Sequence, residues 1–435
     1  MENGSGPFDS EQPSDIVGSS KPRLFGLLGP GLITGASDDD PSGIATYSQA
    51  GAMYGTGLGW AMVLTYPLMS AIQEISARIG RTTGHGIAGN LRRHQSPWVL
   101  NAIVILLLVA NVINIGADLG AMADATTLIA AGPAYLYALG FGVLCIVLQI
   151  WVQYASYVKI LKWLTLVLFA YPATLLLVHV PWSQVAHDII IPKIVWNKDY
   201  IALVVAVFGT TISPYLFFWQ ASEEAEDIRE LPKRHALKNA VGEGPAALHR
   251  IRFDTFIGMA FSNLVALAII LTTAVTLHAH GVGNIATSAQ AASALKPIAG
   301  NFAFMLFTIG IVGTGVLAVP VLAGSAAYAI GEARDWPTGL ARKPREAKAF
   351  YATLAAATAI GIVIDLTPIN PIKALIWSAI INGVVAVPVM AIMMVMARRS
   401  RIMGVFTIGP VLTVLGWAAT AIMAIAAVAM VVTSF

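Results

Sequence analysis

Three consecutive carboxylates, Asp38, Asp39 and Asp40, lie in an otherwise apolar stretch near the start of the chain. The 13 residues from Phe25 to Ser37 would form about 20 Å of helix, which brings the triplet near the middle of a bilayer core about 30 Å thick. Uncompensated charge at that depth is costly and is normally functional. The pattern therefore predicts a polar cavity in which the aspartates bind a cation.

The residues that follow the triplet predict that the helix breaks there. Pro41 and Gly43 do not continue a regular helix comfortably, so backbone groups at this point are free to bind an ion. A second interrupted segment, Val204 to Ser222, reaches the sequence GTTISP after a similar length and supplies the hydroxyls of Thr210 and Ser213. Because the two segments enter the membrane from opposite sides, both breaks should lie at a similar depth.

The composition of the chain is typical of a polytopic membrane protein. Hydrophobic residues make up 57% of its 435 residues and charged residues only 11%, whereas soluble domains carry about 25% charged residues. The single cysteine, Cys145, excludes a disulfide framework and a thiolate metal cluster. Residues 1–20 are polar and predict a disordered cytosolic tail, and residues 21–435 predict a single transmembrane domain.

Eleven apolar segments are long enough to span a bilayer, and their order predicts an all-α protein with an internal repeat. The interrupted spans are the first and the sixth, so they run in opposite directions. Spans one to five (24–180) and six to ten (199–397) would form an inverted repeat, followed by an extra helix at 404–434. Paired broken helices in two inverted halves indicate the substrate site of a secondary transporter. The predicted spans are 24–54, 57–79, 97–124, 130–152, 156–180, 199–227, 253–279, 300–331, 347–365, 370–397 and 404–434.

The positions of lysine and arginine predict which side each loop faces. With the N-terminus in the cytoplasm, 22 of the 26 basic residues fall on the cytoplasmic face, in line with the excess of basic residues in cytoplasmic loops. Only Lys193, Lys198, Lys296 and Lys373 fall outside. The C-terminus is therefore predicted to lie outside, and the net charge of +3 needs no nucleic-acid partner.

Two stretches of the sequence resemble the Nramp family of divalent metal transporters. They are GPGLITGASDDDPSGIATYSQAGA at 29–52 and QEISARIGRTTGHGIAGNLRR at 73–93. The resemblance implies the LeuT-type inverted-repeat fold, a plasma-membrane location and metal ligands on both broken helices. It implies no cofactor, since Mg²⁺ or Mn²⁺ would be the transported substrate.

The sequence departs from the family pattern at the ligand positions. The family reads Asp-Pro-Gly-Asn in the first break, where Asp and Asn are ligands; in this chain Asp40 and Pro41 match, but Ser42 and Gly43 replace Gly and Asn. The second break lacks the family's methionine ligand and places Ser213 there, after Thr210. Oxygen donors alone suit hard cations, and Mg²⁺ tends to keep several waters.

These departures resemble the Nramp-related magnesium transporter branch, with Mg²⁺ as the favoured ion and Mn²⁺ as a second. Loss of the Asn side chain at Gly43 should widen the cavity for a hydrated ion. The alternative is a proton-coupled transporter of Mn²⁺ or Fe²⁺, or one for another hard cation such as Al³⁺. A membrane enzyme lacks support because neither HExxH nor GxSxG occurs, and an amino acid carrier should avoid three aspartates in its site.

Proton coupling is not expected, because two family positions on the proton path are changed. The family's histidine seven residues after the methionine is replaced by Gln220, which cannot titrate, and the ninth span lacks the family's basic residue. Asp118 and Asp124 in the third span remain as alternative proton acceptors.

Further polar residues have two interpretations each. Asn382 is either a third-helix ligand or part of a helix–helix hydrogen bond. The acidic run Glu223, Glu224, Glu226 and Asp227 either extends an ion path or, as the default, forms a solvated face at the cytoplasmic end of the sixth span.

Overall fold

The computed structural model describes residue 35 and residues 37–152, 166–230 and 234–434. Within these residues every regular element is helical. The predicted tail at 1–20, the start of the first span at 24–34 and the start of the fifth span at 156–165 lie outside the described residues.

Seventeen α-helices and five short 3₁₀ turns follow one another along the described residues. The α-helices are α1 Pro41–Tyr54, α2 Gly59–Thr83, α3 Ile87–His94, α4 Pro97–Thr127, α5 Ala134–Trp151, α6 Ala170–Leu177, α7 Trp182–Ile190, α8 Lys198–Thr211, α9 Pro214–Glu230, α10 Gly244–Thr276, α11 Ser288–Ser293, α12 Lys296–Ala299, α13 Ala303–Arg334, α14 Lys348–Asp365, α15 Pro371–Arg398, α16 Ser400–Met403 and α17 Pro410–Ser434. The 3₁₀ turns are Gly55–Leu58, Leu166–Phe169, Val241–Glu243, His278–His280 and Gly300–Phe302.

The length and apolar character of the helices confirm an all-α polytopic membrane protein. Among the described residues, 8 helical segments are long and apolar enough to cross a membrane. The number is 9 if Leu166–Leu177, which contains α6, and Trp182–Ile190, which is α7, together form one further, bent span. The two members of that pair are bent by 115°. The number of eleven spans stays a prediction.

The first helix break occurs at the aspartate triplet, as the sequence predicts. Asp40 is extended, with φ −72° and ψ 170°, and caps α1 by accepting the Gly43 backbone N–H at 2.7 Å. Pro41 is the first residue of α1, a position where proline is favourable because its missing N–H is not needed. Pro41 and Gly43 therefore lie inside the new helix, not in the unwound part.

The second break has the same construction. Helix α8 ends at Thr211, the backbone is non-helical at Ile212 and Ser213, and α9 begins at Pro214. Each break thus ends at a proline in the first helical position. Both are buried, with Asp40 and Ser213 each 2% exposed.

Helix α10 lies against the first broken segment on both sides of the triplet. A Cβ at Gly35 would lie 2.4 Å from the Gly258 carbonyl oxygen, and a Cβ at Gly51 would lie 2.2 Å from the carbonyl oxygen of Ile270. Real Cβ atoms do not come this close, so glycine is required at both points. Backbone packs directly on backbone at these two points, and α10 cannot move away from the triplet without opening both contacts.

Candidate metal site

The three aspartates do not share one set of partners. Asp38 Oδ2 accepts the Ser262 hydroxyl at 2.6 Å, and Asp39 Oδ1 lies 3.2 Å from the same Oγ. Asp40 contacts α4 instead, where Asn114 Nδ2 donates to its Oδ2 at 3.0 Å. The triplet is therefore divided between α10 and α4.

Asp40 has more hydrogen-bond donors than either neighbour. Its Oδ1 accepts from the Gly43 N–H and the Ser42 hydroxyl, both at 2.7 Å. Its Oδ2 accepts from Asn114 at 3.0 Å, and the Tyr215 hydroxyl oxygen lies 3.5 Å from it. These donors fix the orientation of the carboxylate, and the second lone pair of Oδ2 can bind a cation or its water.

Asp118 supplies a fourth carboxylate beside Asp40. It lies one turn after Asn114 on α4, is fully buried, and interacts electrostatically with Asp40 near the Ser42 backbone N–H. Apart from that backbone contact, neither Asp118 oxygen has a hydrogen-bond partner among the described residues. The sequence pattern indicates Asp118 only as a proton acceptor and leaves Asn114 unnoticed. The four-residue spacing of Asn114 and Asp118 could have indicated that both face the same site, because residues four apart share one helix face.

The space at Gly43 is smaller than the sequence suggests. A Cβ there would lie 3.1 Å from Thr210 Oγ1, 3.2 Å from the Tyr47 ring and 3.5 Å from the Asp38 carbonyl oxygen. The Thr210 and Tyr47 hydroxyls are buried and, apart from a contact with each other, have no hydrogen-bond partner within the described part of the chain. In this conformation Thr210 and Tyr47 thus occupy the space that an Asn side chain would take at Gly43. No wide cavity is left there.

The Ser213 hydroxyl in the second break donates its proton to the backbone of the preceding helix. Ser213 Oγ lies 2.9 Å from the Gly209 carbonyl and 2.8 Å from the Thr210 carbonyl, so it donates to the last turn of α8. Its oxygen lone pairs remain available to a ligand. The thioether of Met122, one turn beyond Asp118 on α4, packs against Gly315 of α13.

Asn382 lies on α15 where that helix packs on the last turns of α8. A Cβ at Gly209 would lie 2.0 Å from the Ala379 carbonyl oxygen and 2.5 Å from the Gly383 nitrogen. The Asn382 side chain is fully buried, and neither its oxygen nor its nitrogen has a hydrogen-bond partner among the residues described. The interhelical hydrogen bond, one of the two interpretations of this residue, is therefore not formed, and the amide can serve a ligand.

Gln220 is bound away from the aspartates. Its Oε1 accepts from Gln73 Nε2 at 2.5 Å, and its Nε2 donates to Thr255 Oγ1 at 3.1 Å. Gln73 also donates to the Leu216 carbonyl at 3.0 Å. The amide of Gln220 thus links α9 to α2 and α10, on the C-terminal side of the second break.

The prediction of a solvated acidic face on α9 is wrong. Glu223, Glu224, Glu226 and Asp227 are all buried, with 0–3% of their surface exposed. Glu224 pairs with Arg250 at 2.5 Å and Asp227 with Arg234 at 2.9 Å. Basic side chains and backbone donors from neighbouring segments cover these carboxylates, which a sequence pattern on one helix cannot show.

Glu226 joins α9 to the segment that follows α13. Its carboxylate accepts the Tyr328 hydroxyl, the Ala341 backbone N–H at 2.8 Å and the Leu340 N–H at 3.3 Å. Glu332, at the end of α13, accepts the Ser222 hydroxyl at 2.8 Å and the Gly89 N–H at 2.9 Å. These bonds join α9 to α13, to α3 and to the segment that follows α13.

The donor set is oxygen-rich and anionic, but it is not a compact cage. In the described ranges, no group of three or more His, Cys, Asp or Glu side chains converges closely enough to hold a metal ion. No described lysine or arginine pairs with Asp38, Asp39, Asp40 or Asp118. Buried carboxylates without a basic partner attract a cation, and spaced oxygen donors suit one that keeps part of its hydration shell.

The family model described as natural resistance-associated macrophage protein-like matches residues 31–433, which include both breaks. The chain belongs to the Nramp family. Members of this family are membrane transporters, so the expectation that the protein is not an enzyme is confirmed.

Relatives with related sequences carry transporter names. The Nramp-family protein "Divalent metal cation transporter MntH" of Yersinia enterocolitica is 29% identical over 306 residues, which cover 68% of this chain and 70% of the relative. The protein of the same name from Aeromonas hydrophila is 26% identical over 299 residues, 67% of this chain and 69% of the relative.

Solved structures share the fold. A mutant of the Eremococcus coleocola manganese transporter aligns with a TM-score of 0.72 at 16% identity and covers 97% of this chain and 90% of its own. Mhp1, a nucleobase-cation-symport-1 family transporter, aligns with a TM-score of 0.53 at 13% identity over 96% of this chain and 95% of its own. The LeuT-type fold of this Nramp-family chain is thereby confirmed.

Proposed function

We propose that this protein carries divalent metal cations across the plasma membrane by alternating access, with Mg²⁺ as the preferred ion and Mn²⁺ as a second substrate. The observation that carries the proposal is the donor set at the two breaks. Asp40 and Asp118 supply carboxylates and Thr210 and Ser213 supply hydroxyls, where a family ligand would be a thioether. Hard cations prefer this set.

A partly hydrated ion suits the spacing of these donors. Thr210, Tyr47, Asn382 and Asp118 present buried polar atoms with unused hydrogen-bonding capacity among the described residues. Such groups can bind the water molecules of a hydrated ion, while the Asp40 carboxylate attracts its charge. Mg²⁺ retains water strongly, so this mode of binding avoids most of its dehydration cost.

Transport is proposed to proceed without coupled protons. The amide chain through Gln220, Gln73 and Thr255 contains no titratable group. The second candidate function, proton-coupled transport of Mn²⁺ or Fe²⁺, is favoured by Asp118, a buried carboxylate beside Asp40. Names of the relatives, divalent metal cation transporters and a manganese transporter, are compatible with both.

Flux measurements on proteoliposomes test the proposal. The purified protein would be reconstituted with a metal indicator or a pH dye inside, and Mg²⁺ or Mn²⁺ added outside. We expect uptake of both ions and no stoichiometric acidification of the lumen. Uptake of Mn²⁺ alone, with matching acidification, would establish the second candidate instead.

The orientation of the chain is part of the same proposal. The N-terminus is placed in the cytoplasm and the C-terminus outside, on the distribution of basic residues. In intact cells, a cysteine placed at Ser434 should then react with a membrane-impermeant thiol reagent, and one at Ser400 should not.

A further inference from the structure

We infer that Ser262 on α10 is a positioning residue that sets ion selectivity by holding Asp38 and Asp39 away from Asp40. The inference rests on the proposed function and explains how one acidic triplet can serve a hydrated cation. Ser262 itself need not touch the ion.

Ser262 is the shared partner of the first two aspartates. It is 1% exposed, its Oγ lies 2.6 Å from Asp38 Oδ2, and the same atom lies 3.2 Å from Asp39 Oδ1. A hydroxyl has a single proton, so it binds the nearer carboxylate strongly and the other weakly. In a buried site, hydrogen bonds to carboxylates are strong enough to select their rotamers.

Ser262 cannot follow the aspartates toward the ion, because α10 is fixed on either side of it. The Gly35–Gly258 and Gly51–Ile270 contacts bring the backbones together one turn before and two turns after Ser262. A side chain bound to this rigid helix holds its partners in place. Asp38 and Asp39 therefore remain on the α10 side while Asp40 faces Asn114 on α4.

This separation decides how many carboxylates reach the ion directly. With Asp38 and Asp39 held by Ser262, an ion at Asp40 keeps waters in the positions that further carboxylates would take. That arrangement favours Mg²⁺, which dehydrates reluctantly. If the aspartates are released, they can turn toward the ion and replace its water, which favours Mn²⁺ because it accepts direct carboxylate ligands at a smaller dehydration cost.

Equilibrium binding to the full-length purified protein tests the inference. Dissociation constants for Mg²⁺ and Mn²⁺ would be measured by calorimetry for the wild type, Ser262→Ala and the isosteric pair Ser262→Thr and Ser262→Val. Thr272→Ala is the matched control, since it removes another buried hydroxyl of α10, bound to the Tyr171 carbonyl at 3.1 Å. Binding is read without transport, so a variant that no longer moves between states still gives a result.

We expect Ser262→Ala and Ser262→Val to shift the ratio of the two dissociation constants toward Mn²⁺ by about tenfold, the effect of one hydrogen bond to a charged group. Ser262→Thr and Thr272→Ala should keep the wild-type ratio. In the Asp39→Asn background, the shift caused by Ser262→Ala should shrink, because one of the released carboxylates is gone.

The outcomes separate this inference from the proposed function. If the wild type binds neither ion, the proposed function fails. If it binds both and the ratio is the same in Ser262→Val and Ser262→Thr, the positioning role of Ser262 is overturned while the transporter proposal stands.

Discussion

The Tyr215 hydroxyl lies 3.1 Å from the Ser37 carbonyl oxygen and 3.5 Å from the Asp40 carboxylate. Tyr215 is the second residue of the helix after the second break, whereas Ser37 and Asp40 flank the first break. One side chain therefore joins the two interrupted helices at the candidate metal site. Movement of either interrupted helix therefore changes the contact between the Tyr215 hydroxyl and the first break.

Removal of this hydroxyl should weaken the connection between the breaks. We expect Tyr215→Phe to lower the free energy of unfolding by about 1 kcal/mol, the usual net value of one hydrogen bond, and to reduce metal uptake. Thermal unfolding in detergent and liposome flux would measure the two effects. Tyr137→Phe, whose hydroxyl bonds to the Ala131 carbonyl in a loop at 3.2 Å, is the control. Equal effects of both variants would contradict a special role for Tyr215.

Asp40 should be indispensable for transport. Its carboxylate is the most extensively bonded of the triplet, and it lies between the α1 N-terminus and Asn114. We expect Asp40→Ala to abolish Mg²⁺ uptake while the protein still inserts and elutes as a single species. Normal uptake by this variant would show that the site assignment is wrong.

Any proton movement that accompanies metal uptake should depend on Asp118. For the wild type we expect Mg²⁺ uptake without acidification of the lumen. If acidification is nevertheless observed, Asp118→Asn should remove it, because Asp118 is the buried carboxylate next to Asp40 without a side-chain hydrogen-bond partner among the described residues. A pH dye inside liposomes measures both cases, and robust metal-driven acidification of the wild type would refute uncoupled transport.

Selectivity should follow the chemistry of the second break. We expect excess Mg²⁺ to inhibit Mn²⁺ uptake by the wild type, and Ser213→Met to weaken that inhibition by introducing a soft ligand. Gly43→Asn should impair folding or transport unless Thr210 or Tyr47 moves, since a Cβ would lie 3.1 Å and 3.2 Å from them. Met122→Leu is the control, because the Met122 sulfur packs on Gly315. Failure of Mg²⁺ to compete would favour the transition-metal alternative.

The segment that follows α13 should loosen when Glu226 loses its charge. Glu226→Gln replaces an acceptor of the Ala341 and Leu340 N–H groups, so the segment after α13 should become more accessible. We expect a cysteine at Leu340 to react faster with a water-soluble thiol reagent in the Glu226→Gln background. Glu346→Gln, at an exposed position, is the matched control. An unchanged reaction rate would show that Glu226 does not hold this segment in place.

The helical membrane architecture and the positions of both breaks can be predicted from local sequence signals. Helix termination depends on neighbouring residues: a capping aspartate before Pro41, and Pro214 after Ser213, are local signals. Long apolar segments likewise predict spans without reference to partners.

The partner of each buried polar group depends on long-range packing and cannot be predicted from local signals. Ser262 lies 224 residues from Asp38, and Asn114 lies 74 residues from Asp40, so no local pattern shows that the triplet is divided between α10 and α4. The burial of Glu226 and the occupation of the space at Gly43 by Thr210 and Tyr47 have the same origin. A side chain's partner depends on which helices pack together, and that packing is set by contacts summed over the whole chain.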